Sequence, residues 1–124
     1  MPRATISFFE IPAADAGRLA DFFRQVFGWG AAEVPWEGAR YLRLLPPETD
    51  ESPGGGILQR DEAGVVDRLT VMIRVEGETL EEVLARVVAA GGAVALAPMQ
   101  VGEKGRLARF FDPEGNSFGL WKKG

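Results

Sequence analysis

The sequence contains no histidine and no cysteine, and these two absences narrow its chemistry more than any residue it does contain. Neutral imidazole is the commonest nitrogen ligand for transition metals and the usual general base near neutral pH, so any catalytic scheme must work without it. Lack of cysteine removes disulfides, thiolate metal sites and thiol nucleophiles together, and nothing points to an oxidising compartment. Ser7, Ser52 and Ser117 have no histidine to activate them, which leaves nucleophilic hydrolysis unsupported. Basic residues number 14 against 18 acidic ones, and a formal charge of −4 gives no net cationic field for a phosphate backbone. No nucleic-acid partner is expected. No apolar run approaches the ~20 residues that span a bilayer, and Met1-Pro2-Arg3 leads into a strand-like segment instead of a signal peptide's apolar core. A cytoplasmic protein with no membrane partner is the expectation.

What remains reads as one domain built twice over. The first half opens with a strand from Ala4 to Ile11, in which Ser7, Phe9 and Ile11 alternate with Ile6, Phe8 and Glu10, and Pro12 is expected to end the ladder. Asp15 is placed to cap a helix, Leu19, Phe22, Phe23 and Val26 supply its buried stripe, and Gly28 closes it in the left-handed conformation. Residues 29 to 37 have room for a short strand, Tyr41 to Leu45 form another, and a Pro/Gly-rich acidic loop from Glu48 to Gly55 leads to a last one at Gly56 to Gln59.

The second half repeats the order. Leu69, Val71, Ile73 and Val75 alternate with Thr70, Met72 and Arg74 as a half-buried strand. Thr79 and Glu82 form a capping box, Leu80, Val83, Leu84, Val87 and Val88 the helical stripe, and Gly91-Gly92 the exit. Strands follow at Val94 to Ala97 and Leu107 to Phe111, then an Asp112-Pro113-Glu114-Gly115-Asn116 turn and a closing strand from Ser117 to Lys122. The two first strands register at an offset of 64, which sets Glu10 against Arg74, and the closing strands at 63, which sets Gly56 against Gly119. A duplicated strand–helix–three-strand unit implies pseudo-twofold symmetry. The predicted class is therefore α+β: two βαβββ modules, about 4–60 and about 68–123, forming a curved mixed sheet around a central cleft with helices on the outer face.

Three segments carry a family likeness. Phe9-Glu10-Ile11-Pro12 with the helix exit Val26-Phe27-Gly28-Trp29, the exit Ala89-Ala90-Gly91-Gly92-Ala93-Val94, and the run from Phe111 through Asp112-Pro113-Glu114-Gly115-Asn116 to Trp121 resemble the vicinal oxygen chelate superfamily of glyoxalase I, bleomycin-resistance proteins and extradiol dioxygenases. That resemblance implies one metal ligand on the first and one on the last strand of each module. Carried over, those places are Phe8 (or Ile6), Gly56, Thr70 (or Met72) and Gly119, none of which offers a strong ligand to a divalent ion. The acidic groups Glu48, Asp50 and Glu51, and Glu81 and Glu82, read as loop and helix-start residues. No metal and no other cofactor is expected.

Glu10 shares a strand face with Phe8 and is the candidate catalytic carboxylate; the competing reading is an ion pair with Arg74. Arg74 is equally a candidate for holding an anionic ligand. Phe8, Leu58, Thr70, Met72, Arg74 and Trp121 would line a cleft emptied by Gly56 and Gly119 and suited to a flat organic molecule, or else fill it as core. Trp36 and Tyr41 flank the loop toward the second strand, and Arg43, Arg106 and Arg109 lie in strand-like segments that would edge the cleft; all are also residue types that interfaces enrich, and a homodimer is the expected assembly. The functional expectation is a metal-independent small-molecule-binding protein, with a glyoxalase-like lyase or isomerase using a cleft carboxylate, and a protein-interaction module, as the alternatives.

Overall fold

A computed structural model describes residues 2–34, 40–45, 54–59, 68–103 and 105–124. They carry eight strands and two helices, divided between a unit spanning Phe8–Leu69 and a unit made of Met1–Ser7 with Thr70–Gly124. The first of these contains most of β1 (Arg3–Ala13), then α1 (Ala16–Phe27), β2 (Gly30–Val34), β3 (Tyr41–Leu45) and β4 (Gly55–Gln59). The other contains β5 (Thr70–Glu76), α2 (Leu80–Ala89), β6 (Ala93–Val101), β7 (Gly105–Phe111) and β8 (Ser117–Lys123).

Both follow one plan. The last strand returns to lie parallel to the first, β4 beside β1 and β8 beside β5, while the middle strands add on antiparallel, giving the orders β1-β4-β3-β2 and β5-β8-β7-β6. The duplicated βαβββ order and the α+β class expected from the sequence are what the chain adopts. The register differs from the expected one. Glu10 pairs with Gly56 and Met72 with Gly119, so Glu10 corresponds to Met72, at an offset of 62, and not to Arg74. Hydrophobic alternation is blind to a slip of two residues, because such a slip keeps every side chain on its own face.

One helix covers one sheet face in each unit. Asp15 caps α1 by accepting from the Arg18 N–H at 3.0 Å, and Gly28, at φ 74°, closes it with a 2.8 Å bond to the Arg24 carbonyl. Ala16 and Ala20 are buried under the helix with Leu19 and Phe23, against Phe9, Ile11, Ala13, Leu42, Leu44 and Ile57. Gln59 ties the helix start to β4, its Oε1 accepting from the Ala16 N–H at 2.8 Å and its Nε2 donating to the Ala14 carbonyl. Two of the four residues expected in the α1 stripe lie outside it: Phe22 is 54% and Val26 53% exposed. The small residues Ala16 and Ala20 let the helix approach closely, which rotates the buried arc toward them and leaves Phe22 on the flank, edge-on to Phe23 at 5.4 Å.

In α2 the expected capping box is present with one change. Thr79 Oγ1 accepts from the Glu82 N–H at 3.0 Å, and also donates to the Glu82 carboxylate at 3.1 Å. Leu80 and Leu84 pack with Val75, Ala108 and Leu120, joined by Ile73, Val83 and Phe110, while Val88 is exposed. Ionic contacts brace the helix. Arg86 donates twice to Glu78, at 2.7 and 2.8 Å, Arg106 twice to Glu81, at 2.9 and 2.7 Å, and Lys122 Nζ donates to the Glu78 carbonyl at 2.6 Å. Asp112 organises its turn by accepting from the Glu114 and Asn116 N–H groups and from the Asn116 amide.

Other expectations shift in detail. Pro12 does not end β1, since it pairs in register with Leu58 and the strand runs on to Ala13; one missing donor thins a ladder without breaking it. β5 is buried at Thr70 and Met72 on one face and at Val75 on the other, not half-buried, and Leu69 is exposed. β6 is longer than expected, with register shifts between Val94 and Leu96 and between Leu96 and Met99 around Pro98. Residues 48–53 of the expected acidic loop, and Trp36, lie outside the described residues. Among the described residues no helix is long and apolar enough to cross a membrane.

Two measurements probe this architecture. Gly105 has φ 149°, and a Cβ added there would fall on the Lys122 carbonyl oxygen of the paired strand, so Gly105→Ala is expected to destabilise by roughly 2–4 kcal/mol in denaturant unfolding. The carboxyls of Glu78, Glu81 and Asp112 are held below their ordinary values, chiefly by hydrogen bonds from Arg86, Arg106 and Asn116 respectively. Depressed carboxylates stabilise above the ordinary carboxylate range and lose that contribution as they protonate. Melting temperature should therefore fall as pH drops below about 4, and Glu78→Gln should reduce the size of that fall.

Candidate functional site

Strand parity sorts the candidate residues. Phe9 and Ile11 face α1, which turns Phe8 and Glu10 to the helix-free face, and β4 and β3 place Gly56 and Arg43 in the same row as Glu10. A side chain at Gly56 would meet Tyr41, because the Tyr41 hydroxyl lies over the glycine backbone. Tyr41 reaches this place from two pairs along the ladder, opposite Leu58. Glu10 is 1% exposed and Tyr41 and Leu58 are buried, so the Phe8–Leu69 unit gathers a carboxylate, a phenol and an arginine around a glycine.

The Thr70–Gly124 strands have the corresponding row, Met72, Gly119 and Arg109. Here the first strand itself fills the gap, since a Cβ at Gly119 would fall on the Met72 sulfur. Arg109 Nη1 lies 4.0 Å from that sulfur, and the arginine is 4% exposed. One row away, Thr70 Oγ1 and Ser117 Oγ share a hydrogen bond of 2.7 Å. In the opposite direction Arg74 pairs with Trp121, its Cζ 5.2 Å from the ring centroid, and its Nε lies 3.2 Å from Glu76. Arg74 thus takes Glu76 as an acidic partner within its own strand.

The room expected at the two glycines is occupied by the protein itself, by phenol in one unit and thioether in the other. The four places where the superfamily's ligands were expected fail a fit test for a divalent ion. Phe8 is hydrocarbon, Gly56 lies under the Tyr41 hydroxyl, Thr70 is engaged with Ser117, and Gly119 lies under the Met72 sulfur. Among the described residues no group of three or more Asp or Glu side chains is arranged to hold a metal.

Of the predicted lining, Met72, Thr70, Arg74 and Trp121 share one face of one unit, and Phe8, Glu10 and Leu58 share one face of the other. Sequence reasoning set Tyr41 beside a loop and Arg109 at the cleft edge or an interface; both are buried, Arg109 in the row of Gly119 and Tyr41 with its hydroxyl over Gly56. Arg106, also expected there, is taken up by Glu81. The Gly56–Gly119 match was visible in the sequence, but at its offset of 63 Arg43 falls on Arg106; only the strand register brings Arg43 into correspondence with Arg109.

A double-mutant cycle tests the filled gap. Gly119→Ala and Met72→Ala should each destabilise, the latter by about 2–5 kcal/mol, and the double variant should fall short of their sum by about 0.5–3 kcal/mol because the new methyl occupies part of the vacated space. Additivity within about 0.5 kcal/mol in urea unfolding would show that the two do not share that space.

Comparisons with known proteins extend the picture. A family model described as a glyoxalase-like domain matches residues 8–121. The anthracycline biosynthesis proteins DnrV of Streptomyces peucetius and DauV of Streptomyces sp. (strain C5) are each 30% identical over 135 residues, covering 95% of this chain and 46% of those proteins. The chain spans about half the length of the curated relatives it matches. Methylmalonyl-CoA epimerase from Mycobacterium tuberculosis matches with a TM-score of 0.67 at 16% identity, over 96% of this chain and 87% of that one. A variant of the Streptomyces coelicolor methylmalonyl-CoA epimerase, in complex with 2-nitronate-propionyl-CoA, matches at 0.68 and 16% identity, over 97% and 94%. At these identities the solved structures establish a common fold.

Proposed function

The chain belongs to the glyoxalase-like domain family, within the vicinal oxygen chelate superfamily, and from that premise we propose that it binds a flat organic small molecule without the help of a divalent metal. The observation that carries this reading is the filling of both glycine gaps, by the Tyr41 hydroxyl and by the Met72 sulfur, where the superfamily's ligands were expected. A cation entering there would have to displace a buried side chain and would meet no carboxylate at any of the four places. Apolar and aromatic side chains with a few fixed polar groups are what small-molecule sites are made of, and Met72, Trp121, Arg74 and Thr70 form such a set on one face. The two curated relatives are named for anthracycline biosynthesis, which makes flat polycyclic aromatics the first ligands to try.

A second reading has its own support. Glu10 is a buried carboxylate level with Gly56, and the Tyr41 hydroxyl lies over that glycine, so a potential base and a potential acid stand in one neighbourhood of the Phe8–Leu69 unit. A lyase or isomerase moving a proton with Glu10 is the chemistry this suits, and the fold is shared with epimerases. Exposed Phe22, Val26 and Phe27 on α1 support pairing into a homodimer, and a cytoplasmic address accords with the cysteine-free composition.

Purified protein is expected to carry no stoichiometric divalent ion by elemental analysis; one ion per chain, held at the glycine rows and needed for binding, would overturn the proposal. In a thermal-shift screen an aromatic ligand at ~100 times its dissociation constant should stabilise by ~2.7 kcal/mol. Turnover of a thiohemiacetal or thioester substrate, lost in Glu10→Gln with binding retained, would establish the second reading in place of the first.

A further inference from the structure

The helix-free face of the Thr70–Gly124 strands is cationic in a chain whose formal charge is −4. Parity and register place Arg74 and Glu76 of β5 and Lys123 of β8 on its exposed part, two positive groups against one negative, while Arg109 of β7, on the same face, is buried. The opposite face is covered by α2. Elsewhere the unit matches its ions in pairs, Arg86 with Glu78 and Arg106 with Glu81, each through two hydrogen bonds. Arg74 differs. Its one acidic contact is from Nε to Glu76 at 3.2 Å, its side chain is 41% exposed, and its two Nη groups take no partner among the described residues. The guanidinium lies over Trp121, its Cζ 5.2 Å from the ring centroid, a cation–π contact that restrains the side chain.

We propose that this face accepts an aromatic anion, a flat ring system bearing a carboxylate, with the carboxylate on the Arg74 guanidinium and the ring against Trp121. The inference rests on the small-molecule reading above and adds the ligand's charge to it. A planar guanidinium held by a stacked indole presents two N–H groups at the spacing of a carboxylate's oxygens, and a fork held in place beforehand loses little entropy on binding. Lys123 on the same face adds an attractive field without needing direct contact.

The test uses a matched pair of probes, anthraquinone-2-carboxylate and its neutral carboxamide, titrated into the full chain while tryptophan fluorescence is followed, with Trp121→Phe identifying the responding indole. The carboxylate is expected to bind at least about tenfold more tightly than the carboxamide, and Arg74→Gln should erase that preference while leaving carboxamide affinity within about twofold. Arg74→Lys should keep part of the preference, and its circular dichroism and melting temperature control for folding. Equal binding of the two probes, or an Arg74→Gln effect equal on both, would overturn the charge assignment and leave the small-molecule reading standing. Binding of neither probe to folded protein would overturn both.

Discussion

Each half of this protein depends on one constraint, the parallel docking of its closing strand against its opening strand. A parallel pair cannot be made by a hairpin, so the chain must leave the first strand, pass through a helix and two antiparallel strands, and come back. That return sets Gly56 beside Glu10 and Gly119 beside Met72. Absence of a side chain at the return point is what lets neighbours lean in, and the two halves use it differently. In one, the phenol of Tyr41 leans across from the strand on the far side; in the other, Met72 leans from the opening strand itself. The same backbone plan thus carries two unlike interiors, one centred on a carboxylate with a phenol nearby and one on a thioether beside an arginine.

The elements were legible in the sequence because local signals agreed with the tertiary result. Asp15, Gly28, Thr79 and Glu82 sit at helix ends where backbone groups need partners, and they do in the structure what their side-chain chemistry predicts. Duplication was legible for the same reason, since two helices of similar pattern were each followed by three strand-like runs. The register of the halves was not. Two-residue periodicity leaves shifts of two equivalent, and only inter-strand hydrogen bonding, which no local pattern encodes, selects Met72 over Arg74 as the counterpart of Glu10.

Site residues were legible by face but not by contact. Parity assigned Thr70, Met72, Arg74 and Trp121 to one side of their strands, and that assignment holds. The glycines were read as empty space, whereas long side chains from neighbouring positions occupy it; Tyr41 and Met72 each reach beyond their own place, a matter of rotamer that sequence spacing does not specify. Arg109 illustrates the same limit. An arginine in a strand reads as cleft edge or interface, yet it is buried against the Met72 sulfur, and its importance emerges only from the row it shares with Gly119.

The irregular path of β6 has an effect of its own. Within its unit this strand pairs only with β7, so its other side offers backbone donors and acceptors over nine residues, a length at which a second polypeptide could zip on. Two breaks in register and a proline at position 98 interrupt the regular spacing such zipping requires, and no stretch between them is long enough to template a continuous ladder. A protein with long apolar strands thereby carries its own protection against growing into fibrils at that margin.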